Sequence, residues 1–179
     1  PAVVTDADLR LTTGAYPNQL NNIVVKGNFA YIPATGASPN GPIRFDVNTQ
    51  SLLATVDITR NTDAARTINM HLAVKEQPAT PKLFVTVPWA MAAKNREDEA
   101  YVVSAASDIV VKVSLNRGNG QPTVVSTGAG QQARVLQIPT GKNPRGIVIN
   151  GADTRAYVMN YITRDVTVIN VAANQDRVL

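Results

Sequence analysis

Residues 88–104 and 144–160 of this chain, PWAMAAKNREDEAYVVS and PRGIVINGADTRAYVMN, line up without a gap: Pro88 with Pro144 and Tyr101 with Tyr157, each pair 56 positions apart. In each copy two short apolar runs flank a polar turn, the grammar of a β-hairpin rather than of a helix. In the later copy the runs are 146–149 and 156–160, separated by Asn150-Gly151-Ala152-Asp153, and a third run alternates over 166–169. Asp108-Ile-Val-Val of the earlier copy matches Asp165-Val-Thr-Val after a one-residue adjustment, which supplies that copy's third strand. A chain that repeats a three- or four-stranded meander cannot bury both faces of one unit alone, so its units must stack.

A further copy stands upstream. It runs through 20–26, the turn Gly27-Asn28, then 29–32 and 43–47, with Ala30-Tyr31-Ile32 where the last copy has Ala156-Tyr157-Val158. Thr13-Gly14-Ala15-Tyr16-Pro17 corresponds to Thr140-Gly141-Lys142-Asn143-Pro144. Pro17, Pro88 and Pro144 thus open the units, and a residue without a backbone donor belongs at a strand's first position. Residues 51–58 alternate as an outer strand. Residues 67–75 fit strand or helix, Pro78 and Pro81 close them, and 82–87 (KLFVTV) reads as a strand leading into Pro88. A Gly, Gln and Thr rich excursion over 116–132 contains a short strand at 123–126, and 134–138 is the outer strand of that unit. Residues 8–12 read as the outer strand of a preceding unit, and 1–8 as a loosely held end.

Four-stranded antiparallel meanders recurring at roughly 40 residues mark β-propeller blades. The expected fold is therefore all-β, one partial propeller domain over 1–179. It divides into the outer strand of a preceding blade (8–16), two blades with insertions (17–87 and 88–141) and an incomplete blade (144–179). A closed ring takes about four to eight blades, so the chain is expected to be part of a larger ring, with the remaining blades as its first partners.

Composition removes several function classes. Lys and Arg exceed Asp and Glu by 17 to 13, but the cations are scattered singly, without the clustered basic face and stacking aromatics that nucleic-acid binding uses. No apolar run approaches the roughly 18 residues of a membrane-spanning helix. The absence of Cys removes disulfides, thiolate metal sites and the Cys-x-x-Cys-His haem attachment from this stretch. No Gly-x-Ser-x-Gly elbow, His-Glu-x-x-His pair or phosphate-binding Gly-x-x-x-x-Gly-Lys-Ser is present.

The last unit, Pro144-Arg-Gly146-Ile followed by Arg-Ala-Tyr157-Val-Met-Asn160 and Asp165-Val-Thr-Val-Ile, resembles the YVTN-type bacterial β-propeller repeat, with Tyr-Val-Met-Asn in place of Tyr-Val-Thr-Asn. The other units read Tyr31-Ile-Pro-Ala and Tyr101-Val-Val-Ser. The resemblance implies kinship with surface-layer and lactonase-like propellers, some joined to c-type cytochrome or di-haem peroxidase-like domains. It also implies a periplasmic or cell-surface location, and any haem on a partner domain.

Among candidate site residues, Tyr31, Tyr101 and Tyr157 recur at one place per unit, which suits packing between blades better than a ligand-lining ring. Pro17, Pro88, Pro144, Gly146 and Asn160 read as architecture. His71, the single histidine, is weighed as an axial haem ligand or general base against a stabilising contact in an inserted segment. Glu97-Asp98-Glu99 reads as a solvated turn, and Asp153 and Asp165 as turn residues bonding nearby amides. The expectation is a non-catalytic scaffold or docking module of an exported bacterial protein, with no cofactor or metal of its own, supporting an electron-transfer domain. The alternatives are a lactonase-like enzyme, for which Arg145, Asp108 and Arg164 would converge on one cavity, and an adhesion or layer protein using the loops at 35–42 and 116–132.

Overall fold

The computed structural model describes residues 5–6, 11–12, 16–37, 43 and 48–179. Three antiparallel sheets follow one another along the chain. The third is the plainest: Pro144–Ile149, Arg155–Asn160, Asp165–Asn170 and Arg177–Val178 pair in sequence order. In the second, Pro88–Ala93, Glu99–Ser104 and Ile109–Ser114 are followed by an outer position shared by two pieces, Thr123–Val124 and Gln137–Pro139. The excursion between those pieces forms its own small ladder, Ser126–Thr127 against Arg134–Val135. In the first sheet both edges are divided. Tyr16–Asn18 and Val24–Lys26 share one side of Phe29–Ala37, while Thr62–Asp63 and Ile68–Asn69 share the far side of Thr49–Asp57.

Several expectations change. Phe29–Ala37 pairs along its whole length with Thr49–Asp57, so the alternating run expected as an outer strand is the third strand of its sheet. The inward backbone groups pair over nine residues, and the outward ones are taken up in part by the shorter strands at either edge. Ile43 is exposed and outside any strand, and 44–47 lie outside the described residues. Residues 67–75 resolve into the two-residue strand Ile68–Asn69 and the helix Met70–Glu76, whose first turn is capped by the Asn69 side chain accepting from His71 N at 3.0 Å. Residues 82–87 join no ladder; two backbone bonds, from Ala105 N to Val87 O at 2.9 Å and from Ala106 N to Thr86 O at 3.3 Å, and several side chains hold them instead. Ser104 Oγ accepts from Thr86 N (2.8 Å) and donates to Thr86 O (2.7 Å), and Ser107 Oγ donates to Phe84 O (2.7 Å). Of the leading segment, Leu11–Thr12 pairs with Thr5–Asp6, apart from the three sheets, and the rest of 8–15 lies outside the described residues.

The gapless correspondence of the second and third units holds through the first two strands, including an irregularity. Pro88 faces Ser104 and Pro144 faces Asn160, and in both strands the register slips at that end, leaving Trp89 and Arg145 as bulge residues. The one-residue adjustment expected for the third strand is absent. Tyr101 faces Lys112 and Tyr157 faces Val168, and 168 minus 112 is again 56. Asp108 therefore corresponds to Arg164, not to Asp165, and both hold the left-handed turn position, with φ of 55° and 59°.

Two cores show how the sheets stack. Phe29, Tyr31 and Leu53 of the first sheet meet Met91, Ala100, Val102 and Val111 of the second. The opposite face of the second sheet, with Ala90, Tyr101, Val103 and Val110, meets Ile147, Ala156, Val158 and Ile169 of the third. Odd and even positions of the middle sheet are thus both apolar, as a sheet buried on two sides requires. The helix Met70–Glu76 adds Met70 and Val74 to the first core. The segment after it ties the first sheet's insertion to the excursion of the second: Val135 N donates to Gln77 Oε1 at 3.0 Å, and Ala79 N to Ala133 O at 3.2 Å.

Candidate functional site

The third sheet repeats the second but is covered on one side only. Its strand Arg155–Asn160 alternates exposed and buried without exception. On the exposed side, Val148 is 63% accessible, Tyr157 36%, Met159 48% and Val166 57%. Their counterparts on the second sheet, Ala92, Tyr101, Val103 and Val110, face the third sheet, and of these Tyr101, Val103 and Val110 are wholly buried. Chemically matched positions are thus sealed in one unit and open in the next. The three tyrosines follow this rule. Tyr31 and Tyr101 are buried in the two cores, with hydroxyls directed to Asn116 O (3.5 Å) and Asp176 Oδ1 (2.6 Å), while Tyr157 lies on the open face.

Around the Tyr101 hydroxyl the second and third sheets share a chain of charges. Lys112 Nζ lies 2.9 Å from Asp176 Oδ2 and 2.8 Å from Glu99 Oε1; Lys94 Nζ lies 2.6 Å from Glu99 Oε2 and 2.7 Å from Glu97 Oε2. Both lysines are buried, which requires paired carboxylates. Burial raises the Glu99 pKa, but Lys112 and Lys94 outweigh it and hold the carboxyl below its ordinary range. Burial, then the hydrogen bond to Asp176, pushes the Tyr101 phenol upward. The reading of 97–99 as a solvated turn holds for Glu97, which is exposed in the bend, and is corrected for its neighbours: Glu99 opens a strand and bridges two buried ammonium groups, and Asp98 pairs with Arg117. Alternating strand geometry sends Glu99 and Tyr101 to the same face, a signal legible only once the strand is known to begin there.

Asp153 is also more than a local turn residue. It accepts from Asn95 N (2.8 Å), Asn95 Nδ2 (3.0 Å) and Arg96 N (2.9 Å), all in the hairpin turn of the second sheet. From the other side Lys26 Nζ of the first sheet donates to Asn95 O at 2.7 Å and to Lys94 O. The middle turn is clamped by both neighbours. Asp165, by contrast, bonds locally to Asn160 Nδ2 (2.7 Å) and Thr163 Oγ1 (2.8 Å). Asn160 also reaches Thr167 Oγ1 (2.8 Å), and a Cβ on Gly141 would come within 2.6 Å of Asn160 Nδ2, so only glycine fits that close approach. Pro17, Pro88 and Pro144 stand in first strands, and Gly146 faces Met159 across the ladder.

His71 is 3% exposed on the helix, edge-on to Phe84 at 6.0 Å. Its Nε2 is engaged by Val85 O and by Ser51 Oγ at 3.1 Å, inside the fold. Asp108 and Arg145 are linked through one residue: Asn143 N donates to Asp108 Oδ1 and Arg145 Nε to Asn143 Oδ1, both at 2.7 Å. Arg164 shares no described contact with either. Among the described residues no three His, Asp or Glu side chains gather as a metal site, and no helix is long and apolar enough to cross a membrane.

No protein-family profile matches the chain, and no curated protein does. Solved structures do. Hydrazine synthase of Kuenenia stuttgartiensis, which contains a β-propeller, superposes with a TM-score of 0.66 at 14% identity, over 88% of this chain and 47% of that one. A functionally unknown protein from Desulfotomaculum acetoxidans superposes with a TM-score of 0.55 at 12% identity, over 89% of this chain and 41% of its own. The chain spans less than half the length of either. At such identities the likeness concerns architecture alone, and together with the stacked four-stranded sheets it makes this chain an all-β protein of β-propeller fold.

Proposed function

We propose that the chain is a non-catalytic β-propeller scaffold from an exported bacterial protein, an arc of a larger ring whose third sheet docks against a further sheet of the same kind. One observation carries this: Val148, Tyr157, Met159 and Val166 are exposed at the positions whose counterparts the second sheet buries against its neighbour. The existing seam is built from aliphatic residues and a tyrosine meeting an apolar sheet face, and the open face presents the same chemistry. The buried Lys94 and Lys112 support a structural role, since each is paired with carboxylates within or across sheets.

The chain has no cysteine, so single thiols report coverage. Val148→Cys and Val166→Cys should react rapidly with a thiol reagent in this chain and slowly in the complete native protein. Equal, rapid labelling in both overturns the reading. The YVTN kinship and a haem-bearing partner domain are the narrower form of this proposal, supported by the Tyr157-Val-Met-Asn160 signature. Haem staining and intact mass of the native polypeptide from a periplasmic or surface fraction test it.

A further inference from the structure

Trp89 and Arg145 hold equivalent places in adjacent first strands, since 145 minus 89 is 56, and both are bulge residues beside the proline that opens the strand. A bulge redirects a side chain out of the strict alternation of the pleat. Here the two meet: the Arg145 guanidinium carbon lies 3.8 Å from the centre of the Trp89 ring, a cation on an aromatic face. The guanidinium is fixed from a second direction, because its Nε donates to Asn143 Oδ1 at 2.7 Å. Asn143 is itself locked, its N bonded to Asp108 Oδ1 at 2.7 Å and its Nδ2 to Ala105 O at 3.1 Å. Lys142 neutralises Asp108 at 2.9 Å, so that carboxylate is already spoken for.

With Nε engaged and one ring face covered, the two terminal Nη groups of Arg145 remain, and no described hydrogen bond or ion pair uses them. Arg145 borders a hollow of about 420 Å³ together with Trp89, Met159 and Tyr161, the last two 48% and 67% exposed. A planar fork held rigid at an apolar-walled hollow matches a carboxylate bidentately, and loses little rotamer freedom in doing so. A single guanidinium amid aromatic and thioether walls favours a monoanion with an apolar body over a phosphate dianion, which needs further cations. We propose that this hollow binds a carboxylate carried on an aromatic or aliphatic group, with Arg145 as its anchor and Trp89 and Tyr161 as its walls. The site is built from two sheets already in contact, but Met159 and Tyr161 stand at positions whose counterparts, Val103 and Ala105, are buried in the second sheet, so the further sheet proposed above would cover the hollow and the site belongs to the chain with that face open.

Trp89 is the single tryptophan of the chain, so its fluorescence reports the site directly. Titration with 4-hydroxyphenylacetate should change that fluorescence saturably, whereas 4-hydroxyphenylacetamide and inorganic phosphate at matched ionic strength should not. An acetylated peptide ending in Leu-Phe with a free carboxylate, compared with its amidated form, separates a peptide terminus from a free small acid as the source. Binding of either acid supports the site. Arg145→Gln should weaken binding by about tenfold or more, the loss of a charge-assisted pair. Arg145→Lys, which keeps the charge but not the fork, should fall between. Circular dichroism and urea midpoints establish that the variants fold. Absence of a response to both acids, an equal response to the amides, or undiminished binding by folded Arg145→Gln overturns the proposal. A response to phosphate alone also overturns it.

Discussion

Asp153 of the third sheet and Asn95 of the second are joined by two hydrogen bonds, from the Asn95 amide at 2.8 Å and its side-chain Nδ2 at 3.0 Å, so one hairpin turn is fastened to the next. The acceptor is a carboxylate, and charge-assisted bonds of this kind exceed neutral ones. Asp153→Ala should destabilise the chain by about 1–2 kcal/mol, read as a lower urea midpoint with unchanged slope. An unchanged midpoint would show that the clamp is incidental.

The same carboxylate sets a pH dependence. Burial raises the Asp153 pKa, but the bonds from Asn95 and Arg96 outweigh it and hold the group below its ordinary 3.8. Glu99 is likewise held below 4.5 by its lysines, against the effect of burial. A depressed carboxyl contributes stability above its unfolded pKa and loses it as pH falls through the folded value. Urea midpoints should be flat from pH 7 to about 5 and decline below about 4.5, and Asp153→Asn with Glu99→Gln should flatten that decline.

Tyr101 separates a ring from a hydroxyl. Tyr101→Phe retains the buried ring in the second core and removes the 2.6 Å bond to Asp176, at a cost of about 1 kcal/mol. Tyr101→Ala empties the space and should cost about 3–5 kcal/mol. Tyr157→Ala on the open face should cost far less in this chain, and denaturant titration of the three variants tests the order.

At Gly141 the obstacle is steric. A methyl group there would stand 2.5 Å from Thr163 Oγ1 and 2.6 Å from Asn160 Nδ2, inside van der Waals contact, so Gly141→Ala should destabilise by about 1–3 kcal/mol through the displaced side chains. Asn160→Ala removes one of the two contacts and leaves that with Thr163, and the double variant should lose less than the sum of the two single losses.

Much of the architecture could be read from residue pattern alone, because short strands between turn formers keep their period of two whatever surrounds them. The second and third units were legible to the level of register for two strands, since Pro88 and Pro144 pin the same bulge. The third strand misled because Asp108 and Asp165 share a side chain but not a place; the left-handed turn position is filled by Asp108 in one unit and Arg164 in the other. In the first unit the hairpin between Phe29–Ala37 and Thr49–Asp57 outran expectation because strand length depends on partners distant in sequence. Residues 82–87 have the composition of a strand, yet Ser104 and Ser107 bond their backbone and no ladder forms. The site was less legible. Trp89 and Arg145 gain their relationship from two register slips, and the Glu99 to Asp176 contacts span sheets, which spacing along the chain does not encode.

The middle sheet lends Val102 to one core and Val103 to the other, adjacent residues on opposite faces of a single strand. A void opened on either flank must shift the same backbone and so reaches both seams at once. The three units should therefore melt in one transition rather than peel away singly.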